Sequence, residues 1–314
     1  MIELSEEYKK NIVSMFGDVG SNWLSRIPGI IDKYVNEFGL TDIRLNHGLT
    51  YNVVAFANSS KYGEVVLKIE IPFEEMTIRE SLALELNNGE GACKCLYKNI
   101  SDGVLLLERL MPGYSLTTLD SLDERTRIFA YVSKRFNVKV NRECGLPLYS
   151  DILARSVNIA STDSRFSDIS DLILNADEIY KEIESKNDND YLLHSDLYSD
   201  NIIMSNDVFK AIDPHGFVGN KIIDTAIFAQ KELDKLGYSK QNINYMLDLL
   251  STYCDYDKID LANILYVNYV LNICWDKEVN IKNDESIENA RLIFDYVDNY
   301  SRNDNALIRK KKLN

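Results

Sequence analysis

Residues 191–216, YLLHSDLYSDNIIMSNDVFKAIDPHG, place His, Asp and Asn at both ends of two short apolar runs. Tyr191–Leu193 leads into a polar loop, His194–Asn201. Ile202–Met204 and Val208–Ile212 read as two strands joined by Ser205-Asn206-Asp207, residue types that form turns. A hairpin of that length brings its ends together, which predicts Asn201 at the entrance beside Asp213 at the exit. Asp196 sits in the loop just before them. Three converging oxygen-bearing side chains suit a hard cation and a proton acceptor.

The elements around this stretch fall into two sets. Residues 5–16 and 21–38 have helical spacing, with Trp23, Leu24, Ile27, Ile30, Ile31 and Tyr34 on one stripe and Pro28-Gly29 expected to break the second helix. Ile43–Leu45, Tyr51–Asn58, Glu64–Glu70, Ala92–Tyr97 and Val104–Leu107 read as strands of a mostly antiparallel sheet, with a helix over 78–87. After Met111-Pro112-Gly113 the pattern turns helical: 120–140, 148–161 and 167–185, then the hairpin, then 222–236, 240–253, 258–275 and 285–300. The expectation is an α+β, bilobal protein, with a small β-rich N-lobe over 1–110, a larger mainly helical C-lobe over 111–314 that carries the hairpin, and a cleft between them.

His194-Ser195-Asp196-Leu197-Tyr198-Ser199-Asp200-Asn201 fits the pattern H-x-D-L-x-x-x-N of a kinase catalytic loop at every specified position. In that chemistry Asp196 orients the hydroxyl that attacks a γ-phosphate, while Asn201 and Asp213 offer oxygens to a metal ion. Asp213-Pro214-His215-Gly216 stands where kinases carry D-F-G. Upstream, Val65-Val66-Leu67-Lys68 matches V-A-I-K, whose lysine holds nucleotide phosphates. Its glutamate partner is read as Glu80, on the helix that follows, with Glu85 as the competitor nearly on the other side of that helix. Gly48, in Asn46-His47-Gly48-Leu49-Thr50, is the one glycine where a phosphate-covering loop belongs. Leu107-Glu108-Arg109-Leu110 occupies the place of an adenine-binding hinge by order along the chain, so Glu108 and Leu110 join the nucleotide-binding candidates. His194 is read as a prop of the catalytic loop. His215 either contacts phosphate or substrate or is a satisfied structural histidine.

HSDLYSDNII, then AIDPHGFVG and IIDTA, resembles the aminoglycoside phosphotransferases, with their HGDLHxxN and D-P-x-G segments. The spacing IDPxGxVG-x-x-x-x-D, Trp23-Leu24, Tyr51-Asn52-Val53-Val54 and the segment Leu107–Leu116 are similar to the streptomycin 6-kinase branch, the aminoglycoside/hydroxyurea resistance kinases. The likeness runs from about residue 5 to 300. It implies a protein-kinase-like fold, ATP or GTP as phosphate donor, Mg²⁺, and phosphorylation of an aminoglycoside hydroxyl. By position it implies Asp196 as base, Asn201 and Asp213 as Mg²⁺ ligands, Lys68 paired with Glu80 and the nucleotide, and Asp224 as a brace for the catalytic loop. Ser195 and Tyr198 depart from the family's glycine and second histidine; Ser195 strains the loop if that position needs positive φ.

Composition sets the limits. The 314 residues carry a net charge of −14, which disfavours nucleic acid as a partner and favours a cationic small molecule. No window approaches the roughly 18 apolar residues of a membrane span, and the acidic Met1–Glu7 is unlike a signal peptide, so a cytoplasmic location is the default. Five scattered cysteines read as reduced thiols rather than metal ligands. Only Phe217–Ile223 separate Gly216 from Asp224, too few for a regulated activation segment, so a small hydroxyl compound is expected rather than a protein. Trp275 and Asp276, with Asp255, Asp257 and Glu278, are the late acidic region available to a polycation. The function implied is an ATP-dependent aminoglycoside kinase conferring antibiotic resistance. The alternatives are a kinase of a sugar or choline-like amine, and a nucleotide-binding pseudokinase, which the retention of Lys68, Asp196, Asn201 and Asp213 opposes. Oligomeric state is left open.

Overall fold

The computed structural model of the chain describes residues 3–71, 74–186, 188–281 and 284–311; Met1 and Ile2 of the acidic amino-terminal segment lie outside them. In chain order the elements begin α1 (Glu6–Phe38), β1 (Leu40–Leu45), β2 (Val53–Ser59), β3 (Gly63–Ile69), α2 (Glu74–Asn87), β4 (Cys95–Asn99), β5 (Val104–Glu108) and β6 (Pro112–Ser115). Then come α3 (Leu122–Phe136), α4 (Tyr149–Thr162), α5 (Ser170–Lys186), β7 (Tyr191–Leu193), β8 (Ile202–Ser205), β9 (Val208–Ala211) and β10 (Phe217–Gly219). The chain ends in α6 (Ile222–Leu236), α7 (Lys240–Cys254), α8 (Lys258–Glu278) and α9 (Asp284–Lys311). This is the α+β organisation read from the sequence.

The chain forms two compact units, Met1–Tyr114 with Ile203–His215, and Ser115–Ile202 with Gly216–Asn314. Residues 203–215 therefore group with the sheet, although the sequence placed the hairpin among the helices. The cause is backbone pairing: Cys93 N–H donates to the Ala211 carbonyl at 2.9 Å, and Ala211 N–H donates to Gly91 at 2.8 Å. The expected Pro-Gly connection is itself a strand, β6, in a three-stranded sheet of order β6-β8-β9.

The first unit is built on a five-stranded sheet of order β1-β2-β3-β5-β4, antiparallel throughout. Strands alternate their side chains between faces. Val53, Ala55 and Ala57, Val65, Leu67 and Ile69, and Val104 and Leu106 share one core with Trp23, Ile27, Ile30, Ile31, Tyr34 and Phe38 of α1. The Trp23 indole N–H donates to the Glu70 carbonyl at 2.9 Å, fixing α1 to the end of β3. The opposite face of β3 therefore receives Lys68, which stands between Val54 of β2 and Leu105 of β5.

Of the two helical breaks that the sequence suggested, the one in the gap between residues 5–16 and 21–38 is present and the one at Pro28-Gly29 is not. Pro28 is inside α1, and the interruption is at Gly17, with φ 55° and ψ −132°. The apolar stripe on both sides of Pro28 is anchored in the core, so burial holds the helix through the proline despite its missing N–H. Gly17 adopts dihedrals that a side chain resists.

The second unit is organised on α8, which is apolar nearly all round because α5, α6, α7 and α9 pack against it. Phe129 of α3 stacks on Phe228 of α6 with ring centroids 4.1 Å apart. β7 and β10 pair antiparallel, Leu193 opposite Phe217, and so deliver the loop after β7 to the start of α6. Among the described residues no helix is long and apolar enough to cross a membrane.

Gly17→Ala tests the position of the break. Nothing lies within 4 Å of an added Cβ, so the only penalty is conformational, and urea unfolding should show a loss of about 1–3 kcal/mol. Unchanged stability would place the break elsewhere.

Candidate active site

In the first unit the predicted lysine sits in a nest of acids. Lys68 is 5% exposed. Its Nζ pairs with Glu80 of α2, with Asp213 Oδ1 at 2.5 Å, and with Glu70 Oε1 at 3.4 Å. Burial by itself would pull the ammonium pKa down, but Asp213, Glu80 and Glu70 together hold it well above its ordinary value. Glu80 is pushed well up, by burial first and then by its acidic neighbours Asp213 and Glu70, against the pull of Lys68. Three carboxylates face one ammonium, so the cluster has a surplus of negative charge. Glu85 is not part of it; its carboxylate takes Lys98 at 2.8 Å.

Glu70 was not anticipated. It lies two residues after Lys68, and the period-two alternation of a strand is the signal that places both on one face. Asp213 has φ 61°, a conformation that Asp tolerates better than most residues. Arg79, beside Glu80 on α2, donates from Nε to the His215 carbonyl at 2.9 Å. One helix thus holds Lys68 through Glu80 and the backbone after Asp213 through Arg79. Burial lowers the pKa of His215 despite the nearby Asp213.

The other nucleotide-side candidates lie at strand ends and loops of this unit. Gly48 is exposed in the loop between β1 and β2, at φ 78°. Glu108 ends β5 and accepts from Lys94 N–H at 3.1 Å and Lys210 Nζ at 3.4 Å. Leu110 is buried.

In the second unit the loop after β7 is held from α6. Asp224, fully buried in the first turn of that helix, accepts from His194 N–H at 3.1 Å, Ser195 N–H at 2.8 Å and Asn137 Nδ2 at 2.7 Å. Burial raises its pKa against the pull of those donors. Asn137 caps the end of α3 and also donates to the Leu192 carbonyl; nothing in the motif pointed to it. His194 is fully buried against Phe136, and its Nδ1 accepts from Asp196 N–H at 3.3 Å. The histidine therefore props the loop.

Asn201 closes on the candidate base. Its Nδ2 donates to the Asp196 carbonyl at 2.9 Å and to Asp196 Oδ2 at 3.0 Å, which leaves Oδ1 as the atom able to meet a cation. Lys231 of α6 stands 5.5 Å from the Tyr198 ring centroid, where the family's histidine is replaced. Trp275 and Asp276 lie near the end of α8. Trp275 is 38% exposed and Asp276 is half-buried, its pKa raised by that burial. Asp255 and Asp257 flank the α7–α8 junction, and Glu278 pairs with Arg155 at 2.6 Å.

No group of three or more His, Cys, Asp or Glu among the described residues forms a metal cage. A Mg²⁺ ion needs none, because it is commonly held through one or two side chains together with substrate phosphates and water. Asp213 in the first unit carries a carboxylate and Asn201 in the second an amide oxygen, each an oxygen donor of the right kind.

The fold is protein-kinase-like. It superposes on an amicoumacin kinase in complex with AMP-PNP, Ca²⁺ and Ami with a TM-score of 0.63 at 14% identity, over 87% of this chain and 93% of that one. Choline kinase from Streptococcus pneumoniae gives a TM-score of 0.62 at 14% identity, over 88% and 100%. The chain belongs to the aminoglycoside/hydroxyurea antibiotic resistance kinase family, whose model matches residues 58–280. It is 23% identical over 284 residues to streptomycin 6-kinase of Streptomyces glaucescens, covering 88% of this chain and 92% of the relative. The resemblance carried by HSDLYSDNII and AIDPHGFVG therefore holds at the level of the family, and the chain is an antibiotic-resistance kinase.

Ser195 stands at φ 62°, and its hydroxyl is buried without a hydrogen-bond partner. The strain foreseen at this position is present. A left-handed side-chain residue costs about 1–2 kcal/mol, against about 0.5–1 kcal/mol for the added freedom of glycine when unfolded. Ser195→Gly should accordingly raise the unfolding free energy by about 0.5–1 kcal/mol in denaturant titration; a loss of stability would contradict the strain.

Proposed function

We propose that this kinase transfers the γ-phosphate of ATP to a hydroxyl of a streptomycin-like aminoglycoside. The observation that carries the acceptor is the similarity to streptomycin 6-kinase along nearly the whole chain. The acidic balance of −14 supports a cationic acceptor.

The chemistry follows from the groups. Asp196 accepts the proton of the acceptor hydroxyl as its oxygen bonds to Pγ and the bond from Pγ to the β-bridging oxygen breaks, releasing ADP. Lys68 holds the nucleotide phosphates; Glu80 keeps its ammonium in place and charged. Asn201 and Asp213 would hold Mg²⁺, which supplies neutralisation of the phosphate charge. The surplus negative charge around Lys68 supports a divalent cation on the Asp213 side. Gly48 would cover the phosphates with its backbone, and Glu108 to Leu110 would face the adenine. Asp224 and His194 keep Asp196 in register, and Trp275 and Asp276, with His215, are candidates for acceptor contact.

Two measurements test the reading. Asp196→Ala should lower turnover by about 10²–10⁴-fold while calorimetry shows nucleotide binding intact; normal phosphorylation by that variant would remove Asp196 as the base. Radiolabelled phosphate transfer from ATP and from GTP to a panel of aminoglycosides, with choline and simple sugars included, should label streptomycin or a close analogue from ATP. Expression should raise the minimum inhibitory concentration of the same compound. Labelling of choline or a sugar alone would move the enzyme to metabolite phosphorylation.

A further inference from the structure

The catalytic loop has a second anchor on α6, two helical turns past Asp224. Glu232 is 0% exposed and divides its carboxylate between two partners. Ser199 Oγ donates to Oε1 at 2.6 Å, and Arg125 Nη2 donates to Oε2 at 2.6 Å. Arg125 is fixed in turn, since Nη1 donates to the carbonyls of Leu119 and Asp120 at 2.7 and 3.0 Å. Ser199 is also 0% exposed, and its carbonyl accepts from Ser115 Oγ at 2.9 Å. A carboxylate removed from water has to be paired. Arg125 supplies the charge, and the remaining oxygen is aimed at a single loop hydroxyl.

The place of that hydroxyl gives the arrangement its meaning. Ser199 opens the 3-10 turn that ends at Asn201. From Asp224 to Glu232 the helix rises about 12 Å, within the roughly 13 Å that the chain from Ser195 to Ser199 can reach at most. The helix therefore grips the loop on both sides of Asp196, by Asp224 at residues 194–195 and by Glu232 at residue 199. An acceptor carboxylate in an ion pair with Arg125 makes the second grip a charge-assisted bond, shorter and stronger than a neutral one. The sequence signal is an acid set one turn after Ala229 and beside Leu233, on a buried run of α6 that is apolar apart from Asp224 and Thr225.

We infer that Glu232, backed by Arg125, is a positioning residue that acts through the Ser199 hydroxyl to set the spacing between Asp196 and Asn201. The inference rests on the roles proposed above for those two residues. Loss of the grip frees the turn that carries Asn201, so the metal requirement suffers together with the chemical step, whereas acceptor binding does not.

Ser199→Ala deletes only the hydroxyl and leaves the Arg125–Glu232 pair intact. The full-length variant should need about tenfold more Mn²⁺ for half-maximal binding of AMP-PNP, followed by the free-Mn²⁺ EPR signal, as supporting contacts of metal ligands usually cost. With the acceptor that the wild type phosphorylates, kcat should fall by a similar factor while acceptor KM stays within twofold. Ser199→Thr, which keeps a hydroxyl, should recover the metal requirement even if its thermal midpoint drops, an effect that a purely structural role would not produce. Glu232→Gln should match Ser199→Ala, and the double variant should be no worse than the poorer single one; if Glu232→Gln fails to fold, the two Ser199 variants decide. Wild-type Mn²⁺ dependence and kcat in Ser199→Ala, with Asp196→Ala inactive, would overturn the positioning role and leave the base assignment standing. An active Asp196→Ala would overturn both.

Discussion

The constraint on which the rest depends is the burial of Lys68 in the middle strand of a sheet. An ammonium cannot leave water without partners, and at this place the partners come from three parts of the chain: Glu70 from the end of the same strand, Glu80 from α2, and Asp213 from beyond the hairpin. This single charge explains why α2 must lie on the sheet face opposite α1. It also explains why residues 203–215 are folded with the sheet, although the chain visits the helical unit before and after them. The carboxylates outnumber the ammonium, so the cluster is not a closed ion pair of the kind that only fills a core. It has capacity for further positive charge, which suits a site that handles a nucleotide with its cation.

The helical unit solves a different problem, that of keeping a polar loop in one shape without regular secondary structure. Backbone N–H groups that find no strand partner must be paired elsewhere. Asp224 takes those of His194 and Ser195, His194 takes that of Asp196, and Asn201 returns to Asp196. The loop is thus pre-shaped before any ligand arrives, which is the economical route to phosphoryl transfer, where positioning and electrostatics do most of the work. The strain at Ser195 is tolerated because these bonds over-determine the backbone there.

Family membership and site chemistry agree on a kinase of small hydroxyl compounds. The departures at Ser195 and Tyr198 leave the candidate base and both candidate metal ligands in place: one is absorbed as backbone strain, the other by the Lys231 ammonium over the ring. Neither change touches the three carboxylates at Lys68. Variation at these positions is therefore compatible with the same reaction.

The sequence by itself determined the α+β class, most elements to within a few residues, and the catalytic pattern, because these depend on local spacing: H-x-D-L-x-x-x-N, V-V-L-K and the periodicity of the apolar stripes. The pairing of Lys68 with Glu80 was legible for the same reason, one strand and the next helix being adjacent in the chain. Tertiary structure alone decided what involves distant segments. Glu85 was excluded by Lys98, Asn137 and Arg125 were brought from α3 to α6, and the hairpin was moved to the sheet unit by its bonds to residues 91–93. The break at Gly17 was legible in the gap between residues 5–16 and 21–38, whereas the one expected at Pro28 is absent because packing against the sheet outweighs one missing hydrogen bond. Local patterns carry information about faces and spacings; the partner of a buried charge or hydroxyl is chosen by the fold, since any acid on any inward face could have filled the role.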